Sequence, residues 1–294
     1  MLSILIPTYN YDITALVNKV YQQSKSCNIA FEILVFDDAS TDLEVRKDNS
    51  SINALENTSY SILESNIGRS AIRNKLAKNA QYEWLLFLDA DVMPSSSDFI
   101  ENYINLKNYK YEAVFGGFTY SKKNENYSSK LRWVYGKKYE QLDAEKRNKN
   151  PYQITITANV LIKKSIFQSL ELEETNRYGM DNYFGAKLRA KNCSIIHIQN
   201  PVLHLGLEDN ETYLNKTNEG IDTLVYFFEK GELKSSDNKL LVLYLRLKAI
   251  KINQLISILG SVLNPIIKIN LLGSKPNTFL FQMYKLFYIS KIMN

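Results

Sequence analysis

Five consecutive apolar residues, Trp84 to Leu88 (WLLFL), run directly into Asp89-Ala90-Asp91. A strand without polar alternation has to be buried on both faces, which requires a sheet covered by helices on each side. Residues 2–6 and 31–36 repeat the pattern, and residues 61–63 supply a further short run. Residues 13–24 and 69–79 carry helical periodicity between these runs. The alternation predicts an α/β fold with a mostly parallel central sheet and helices on both faces. Ligands of such sheets bind outside the carboxyl ends of the strands.

Polar groups gather where those ends are expected. Pro7-Thr8-Tyr9-Asn10 follows the first strand, and Asp37-Asp38-Ala39-Ser40-Thr41-Asp42 follows the second. Asn66-Ile67-Gly68 opens the helix that carries Arg73, and Asp89-Ala90-Asp91 follows WLLFL. A polar turn is the ordinary way for a chain to leave a strand. Four of them in order, all directed to one edge, point to a binding site. Two carboxylates one residue apart can share a hard divalent cation and a ribose hydroxyl. Arg73, near a helix N-terminus, suits a diphosphate; its alternative is an exposed helix arginine.

The 294 residues, 45% hydrophobic and 23% charged, exclude global disorder and allow a large core. Cys27 and Cys193 stand in unrelated contexts without zinc-ligand spacing, which suits a reducing cytoplasm. The first ten residues lack the basic region of a secretory signal. No apolar run reaches the roughly 18 residues of a membrane span. Further along, strands are expected at 113–118 and 154–162, a polar, aromatic-rich helix or excursion at 127–147, and a helix at 181–190. Residues 194–203 read as extended. Beyond 209 the chain reads as helical, interrupted around 231–238 and 272–277.

SILIPTYN, EILVFDDASTD, NIGRSAIRN and FLDADVMP, in this order, resemble the N-terminal motifs of family 2 glycosyltransferases. The resemblance runs from residue 2 to about residue 205. It implies the Rossmann-like GT-A fold for residues 1–210, with residues 211–294 as a C-terminal helical extension. It also implies a metal-dependent, inverting enzyme that moves a sugar from a nucleotide-diphosphate sugar, UDP-sugar foremost, to a hydroxyl of a glycan or lipid-linked glycan. Manganese or magnesium would be the cofactor, and no nucleic acid a partner. Pro7, Thr8, Tyr9 and Asp38, ahead of Asp37, would hold the nucleoside within a nucleotide-sugar site that includes Gly68 and Ala90. Arg73 would meet the diphosphate, Asp89 the ribose and Asp91 the metal.

The family's general base is the Asp of a Glu-Asp pair opening a helix. Gly179-Met180-Asp181-Asn182 matches that stretch, with Met180 in the place of Glu and Asp181 kept. Asp181 is therefore the candidate base; its alternative is to cap the helix that follows. His204 stands where related enzymes place a metal-binding histidine, and Asn159 where they line the donor-sugar pocket. His197, inside an apolar strand, reads as structural.

From Lys239 onward the chain carries eight Lys and Arg and no Asp or Glu, within a net charge of +5. This segment reads either as an amphipathic pair on an anionic membrane surface or as a helical cap on the catalytic domain. The expected location is the cytoplasm, on the first reading at the inner face of the cytoplasmic membrane. Two rivals to the transferase remain. One is a haloacid-dehalogenase-type phosphatase, for which LLFLDADV has Met93 where Thr or Val is expected. The other is a non-catalytic carbohydrate-binding scaffold. A sugar-nucleotide-forming nucleotidyltransferase is disfavoured, because no Gly-rich loop follows the first strand.

Overall fold

A computed structural model describes residues 1–106, 110–121 and 128–294. The expected strands β1 (Leu2–Thr8), β2 (Phe31–Asp37), β3 (Thr58–Ile62) and β4 (Trp84–Leu88) lie side by side and parallel, in the order β3-β2-β1-β4. Beyond β4 the sheet continues through β8 (Asn159–Lys163), β6 (Ala113–Phe115) and β9 (Ile195–His197). Strand β8 is antiparallel to both of its neighbours.

Apolar runs make this sheet because alternate residues feed two separate cores. Leu2, Ile4 and Ile6 of β1 join Trp84, Leu86 and Leu88 of β4 in a cluster under α1 (Thr14–Ser26). Leu5, Leu85 and Phe87 face the other way, into a cluster with Ile72 and Leu76 of α3 (Arg69–Asn79) and Phe184 and Leu188 of α8 (Asp181–Ala190). Full burial of one such side chain contributes about 1.5–3 kcal/mol.

The expected strand at 113–118 is broken. Gly116 and Gly117 end β6, and Phe118–Thr119 forms β7 in a second, three-stranded sheet. There β10 (Val202–His204) lies between β7 and β5 (Val92–Pro94), with His204 opposite Val92. That register carries His204 back to the end of β4. Tyr127, the first residue of the expected excursion, lies outside the described residues. The rest forms α5 (Lys130–Tyr135), a π-helical turn at Gly136–Glu140 and α6 (Ala144–Asn148). Short helices at Leu43–Ser50 (α2), Phe99–Ile104 (α4) and Lys164–Ser169 (α7) had no clear periodic signal.

The C-terminal region forms α9 (Asn210–Glu229), α10 (Lys239–Ala249), α11 (Asn253–Leu272) and α12 (Thr278–Ile292). These helices pack on the α/β unit through two cores of their own. Tyr183 of α8 stacks on Phe227 of α9 with ring centroids 3.9 Å apart, and Leu131 of α5 packs with Tyr213, Phe281 and Tyr284. One sequence expectation is corrected: α11, 20 residues long, is apolar enough to cross a membrane by length and composition. Asn264 and Lys268 interrupt its apolar run without lowering its overall hydropathy below that of a span.

Candidate active site

The carboxyl ends of β1 and β2 are tied to each other and to the loop between β3 and α3. The Asn10 side chain accepts from the amides of Thr41 and Asp42 at 2.8 and 3.0 Å, and the Asn10 amide donates to Ser40 Oγ at 2.7 Å. The Asp38 amide donates to the Thr8 carbonyl at 2.9 Å. Its carboxylate accepts from the amides of Ile67 and Gly68 at 2.7 and 2.9 Å, and so fixes the loop that starts α3. Asp37 is fully buried, accepting from the Ser40 amide at 2.6 Å and from the Tyr60 hydroxyl. It is part of the loop's framework.

Below these loops opens a cavity of about 790 Å³. Five of the residues singled out in the sequence line it: Arg73, Asp89, Asp91, Asp181 and His204. Pro7, Thr8 and Asp37 end strands β1 and β2, and Tyr9, Asp38, Gly68 and Ala90 lie in the loops around it; none of them lines it. Among them Tyr9 is exposed, while Thr8 is buried, its hydroxyl donating to the Tyr11 carbonyl at 3.1 Å. Asn159 does not line it either. It is fully buried: its amide donates to the carbonyls of Gly117 and Asn200 at 2.9 and 3.0 Å, and its Oδ1 accepts from the Tyr103 hydroxyl at 2.6 Å. Every polar atom of the Asn159 side chain is used in holding strand ends together, so none is left for a sugar. His197 is likewise enclosed, with Nδ1 3.0 Å from Arg147 and Nε2 2.8 Å from the Pro151 carbonyl.

Arg73 and Asp89 form an ion pair at the cavity wall, and Arg73 also donates to the Arg69 carbonyl at 3.1 Å. Asp91 and His204 meet with Oδ2 3.5 Å from Nε2. Burial raises the Asp91 carboxyl to about 6, Asp89 and Glu208 add repulsion, and Arg69 opposes them. Burial, aided by Arg132, lowers the His204 imidazole to about 4. The histidine is therefore neutral near pH 7 and offers a nitrogen lone pair. A neutral imidazole facing a carboxylate fits a divalent cation that keeps open positions for phosphate oxygens. Among the described residues no group of three or more His, Cys, Asp or Glu is placed to hold a metal, so the protein would supply this pair and the substrate the remainder. Gly206 makes room for it: a Cβ there would lie 2.2 Å from Asp91 Oδ2.

Asp181 is the first residue of α8 but does not cap it. Its Oδ1 accepts from the Thr157 hydroxyl at 2.8 Å and the Thr157 amide at 3.1 Å. Asp181 is solvent-exposed, its carboxyl opening on the cavity. Its surroundings raise it above the usual carboxylate range, burial most of all and Asp89 further, against the Thr157 bonds and Arg73.

A sequence profile of glycosyl transferase family 2 matches residues 3–170, more than half of the chain. The chain belongs to this family. It is 34% identical over 135 residues to an uncharacterized glycosyltransferase of Haemophilus influenzae. It is 35% identical over 116 residues to the poly(ribitol-phosphate) beta-N-acetylglucosaminyltransferase TarS of Staphylococcus aureus. These matches cover 41% and 38% of this chain, but only 42% and 18% of the two relatives. The fold is GT-A. Residues 1–349 of S. aureus TarS superpose with a TM-score of 0.53 at 18% identity, over 99% of this chain and 88% of that one. A Pyrobaculum calidifontis mannosyltransferase bound to GDP-Man and Mn2+ superposes at 0.51 and 14%, over 76% and 64%.

Membership sets aside the phosphatase reading, which needs Asp89 as a free nucleophile; here Asp89 is paired with Arg73. The Met in place of Glu also has a physical reason, since Met180 packs on the core formed by α8, α9, α10 and α12. Sequence reasoning missed several residues. Arg69, beside Asp91 and stacked 5.3 Å over Tyr178, was inside a quoted motif, NIGRSAIRN. Thr157, two residues before Asn159, carried no signal of its own. Glu208, Arg132 and Glu140 gave no local signal. Arg132 is buried, donating to Glu140 at 3.0 and 2.9 Å, and its partner is presented by the π-helical turn. The C-terminal helices add Gln282 and Lys285 to the cavity wall.

Proposed function

We propose that this glycosyltransferase moves a sugar from a UDP-sugar to a hydroxyl of a glycan or lipid-linked glycan, with inversion at the anomeric carbon. The observation that carries the reading is that Asp181, Arg73, Asp89, Asp91 and His204 line one cavity. UDP is preferred over GDP because the S. aureus TarS structure that covers most of this chain also occurs with UDP-GlcNAc; the mannosyltransferase keeps GDP as the comparison arm of a test.

In this mechanism Asp181 takes the proton of the acceptor hydroxyl while Thr157 holds the opposite carboxylate oxygen. The acceptor oxygen forms its bond to the anomeric carbon as the bond from that carbon to the diphosphate oxygen breaks. Both electrons leave with the nucleotide. Arg73, positioned by Asp89, faces the charge that develops on the diphosphate. Asp91 and His204 would hold the divalent cation, which supplies further neutralisation of that charge. A fixed array of donors and cations aimed at a leaving group typically lowers barriers by several kcal/mol, about 3–4 for one well-placed donor.

The test is UDP binding and UDP-sugar hydrolysis or transfer with and without manganese, in wild type, Asp91→Ala and Asp181→Asn. Asp91→Ala is expected to lose manganese-dependent UDP binding. Asp181→Asn is expected to bind UDP normally and lose turnover. Near-normal turnover of Asp181→Asn removes it as the base. Absence of UDP and GDP binding and of all hydrolysis in wild type would favour a non-catalytic scaffold.

A further inference from the structure

One side of α11 is packed and the other is bare. Ile267 and Leu271 are buried, and Gly260 lies so close to α12 that a Cβ would stand 2.7 Å from Phe287 Cβ. On the outward side Leu255, Ile258, Leu259, Val262, Ile266 and Ile269 recur at helical spacing and are between 44% and 75% exposed. Such a stripe is far larger than the scattered apolar residues of an ordinary surface. Ile250 just before α11 and Phe279 just after it are exposed as well.

Charge identifies what covers this stripe. Arg246, Lys248 and Lys251 precede it, Lys268 lies within it and Lys275 follows it, all exposed. From residue 239 to residue 294 there is no acidic side chain to neutralise them. A second copy of the chain would set these cations against the same cations. An anionic lipid surface offers both an apolar interior and negative headgroups, at the spacing an in-plane amphipathic helix requires. Crossing the bilayer would strip α11 from α12; lying flat keeps that packing.

We propose that α11 docks flat on a bilayer containing anionic phospholipid, its outward stripe among the acyl chains and its flanking cations on the headgroup phosphates. This goes beyond the transfer reaction and does not rest on it. It has a consequence for that reaction. Gln282 and Lys285, which line the cavity, belong to α12, the helix on which α11 packs. The α12 wall of the cavity is thereby separated from the lipid surface by at least the thickness of α11, roughly 10 Å.

Flotation of the full chain with phosphatidylcholine vesicles, with and without phosphatidylglycerol, tests the proposal. Wild type is expected to float with the anionic vesicles and to be released by salt. The triple variant Ile258→Ser, Val262→Ser, Ile266→Ser should lose at least about a hundredfold in partitioning, because three exposed apolar anchors are removed. Lys251→Glu with Lys268→Glu should lose more than about twentyfold, since each cation near such a surface contributes about fivefold. All three positions of the triple variant are solvent-facing, so an unchanged melting temperature and unchanged UDP binding verify its fold. Wild type that stays behind, or variants that float equally well, would overturn the proposal. So would light scattering that shows a wild-type dimer dissociated by the triple substitution, which assigns the face to a second copy.

Discussion

Thr157 holds Asp181 twice through the same atom: hydroxyl and amide both donate to Oδ1, at 2.8 and 3.1 Å. The second carboxylate oxygen is left to the cavity. Thr157→Val keeps the amide bond and loses the hydroxyl bond. A hydrogen bond to a charged group contributes about 1.5–3 kcal/mol, so turnover is expected to fall by about 10- to 100-fold. UDP affinity should be unchanged, because Thr157 acts through Asp181. Thr157→Ser restores the hydroxyl and should restore the rate. Steady-state kinetics on the three proteins, with UDP titrations alongside, check this.

The same carboxyl gives the pH dependence a sign. Asp181 titrates above the ordinary carboxylate range, with burial the largest cause. As the proposed base it works only when deprotonated, so transfer should fall as pH drops through that raised value. Its folded state holds the proton more tightly than the unfolded chain, so stability is lost as pH rises through the window between the two values. Asp181→Asn removes that penalty and should melt at a higher temperature than wild type near pH 7, while turnover is lost. Arg73→Ala removes a nearby positive charge and should move the acid limb of the rate profile upward. A pH series of kcat and of melting temperature separates these outcomes.

The parts of this architecture that are encoded locally were legible from the residues alone. WLLFL and the runs before it require burial on two faces, and β1, β2, β4, α3 and α8 form where their periodicity places them. Asp89, Asp91, Arg73 and Asp181 were visible because each stands at a strand end or a helix start. What was not legible depends on distant pairing. The Gly116-Gly117 pair marks a break before Phe118, but nothing local says that the chain resumes in a second sheet, and that sheet delivers His204 to Asp91. Asn159 misled for a related reason: a polar residue beside a strand end suits a substrate and a backbone tie equally, and only Tyr103, Gly117 and Asn200 decide between them. The contribution of α12 to the cavity depends on packing that spans more than a hundred residues, as the bond from Lys285 to the Tyr135 hydroxyl at 3.2 Å illustrates.

Tyr60 and Asp37 make a prediction about stability without chemistry. The Tyr60 hydroxyl donates to a carboxylate with no solvent exposure, and burial followed by that bond pushes the hydroxyl well above its usual range. Tyr60→Phe leaves Asp37 buried with one donor fewer. The expected loss is about 1–3 kcal/mol. Denaturant unfolding measures it. UDP binding should survive, since the Asn10 bridge and the Asp38 bonds to Ile67 and Gly68 remain.

Gly206 separates cation binding by the Asp91–His204 pair from binding by the charge of the cavity as a whole. A Cβ at this position would lie 2.2 Å from Asp91 Oδ2 and 2.8 Å from Asp91 Cβ, so Gly206→Ala forces Asp91 away from His204. The substitution adds no charge and removes none, so a site that works by net charge alone would be little affected. A cation shared by Asp91 and His204 needs both donors within a fraction of an ångström of their places. Manganese-stimulated UDP binding in Gly206→Ala should therefore fall at least about tenfold, whereas binding measured in EDTA should match wild type. Calorimetric titration of UDP with and without manganese makes the comparison. Equal manganese stimulation in the two proteins would mean that the cation is held without the Asp91–His204 pair, and the site would have to be redrawn around Asp89 and Glu208.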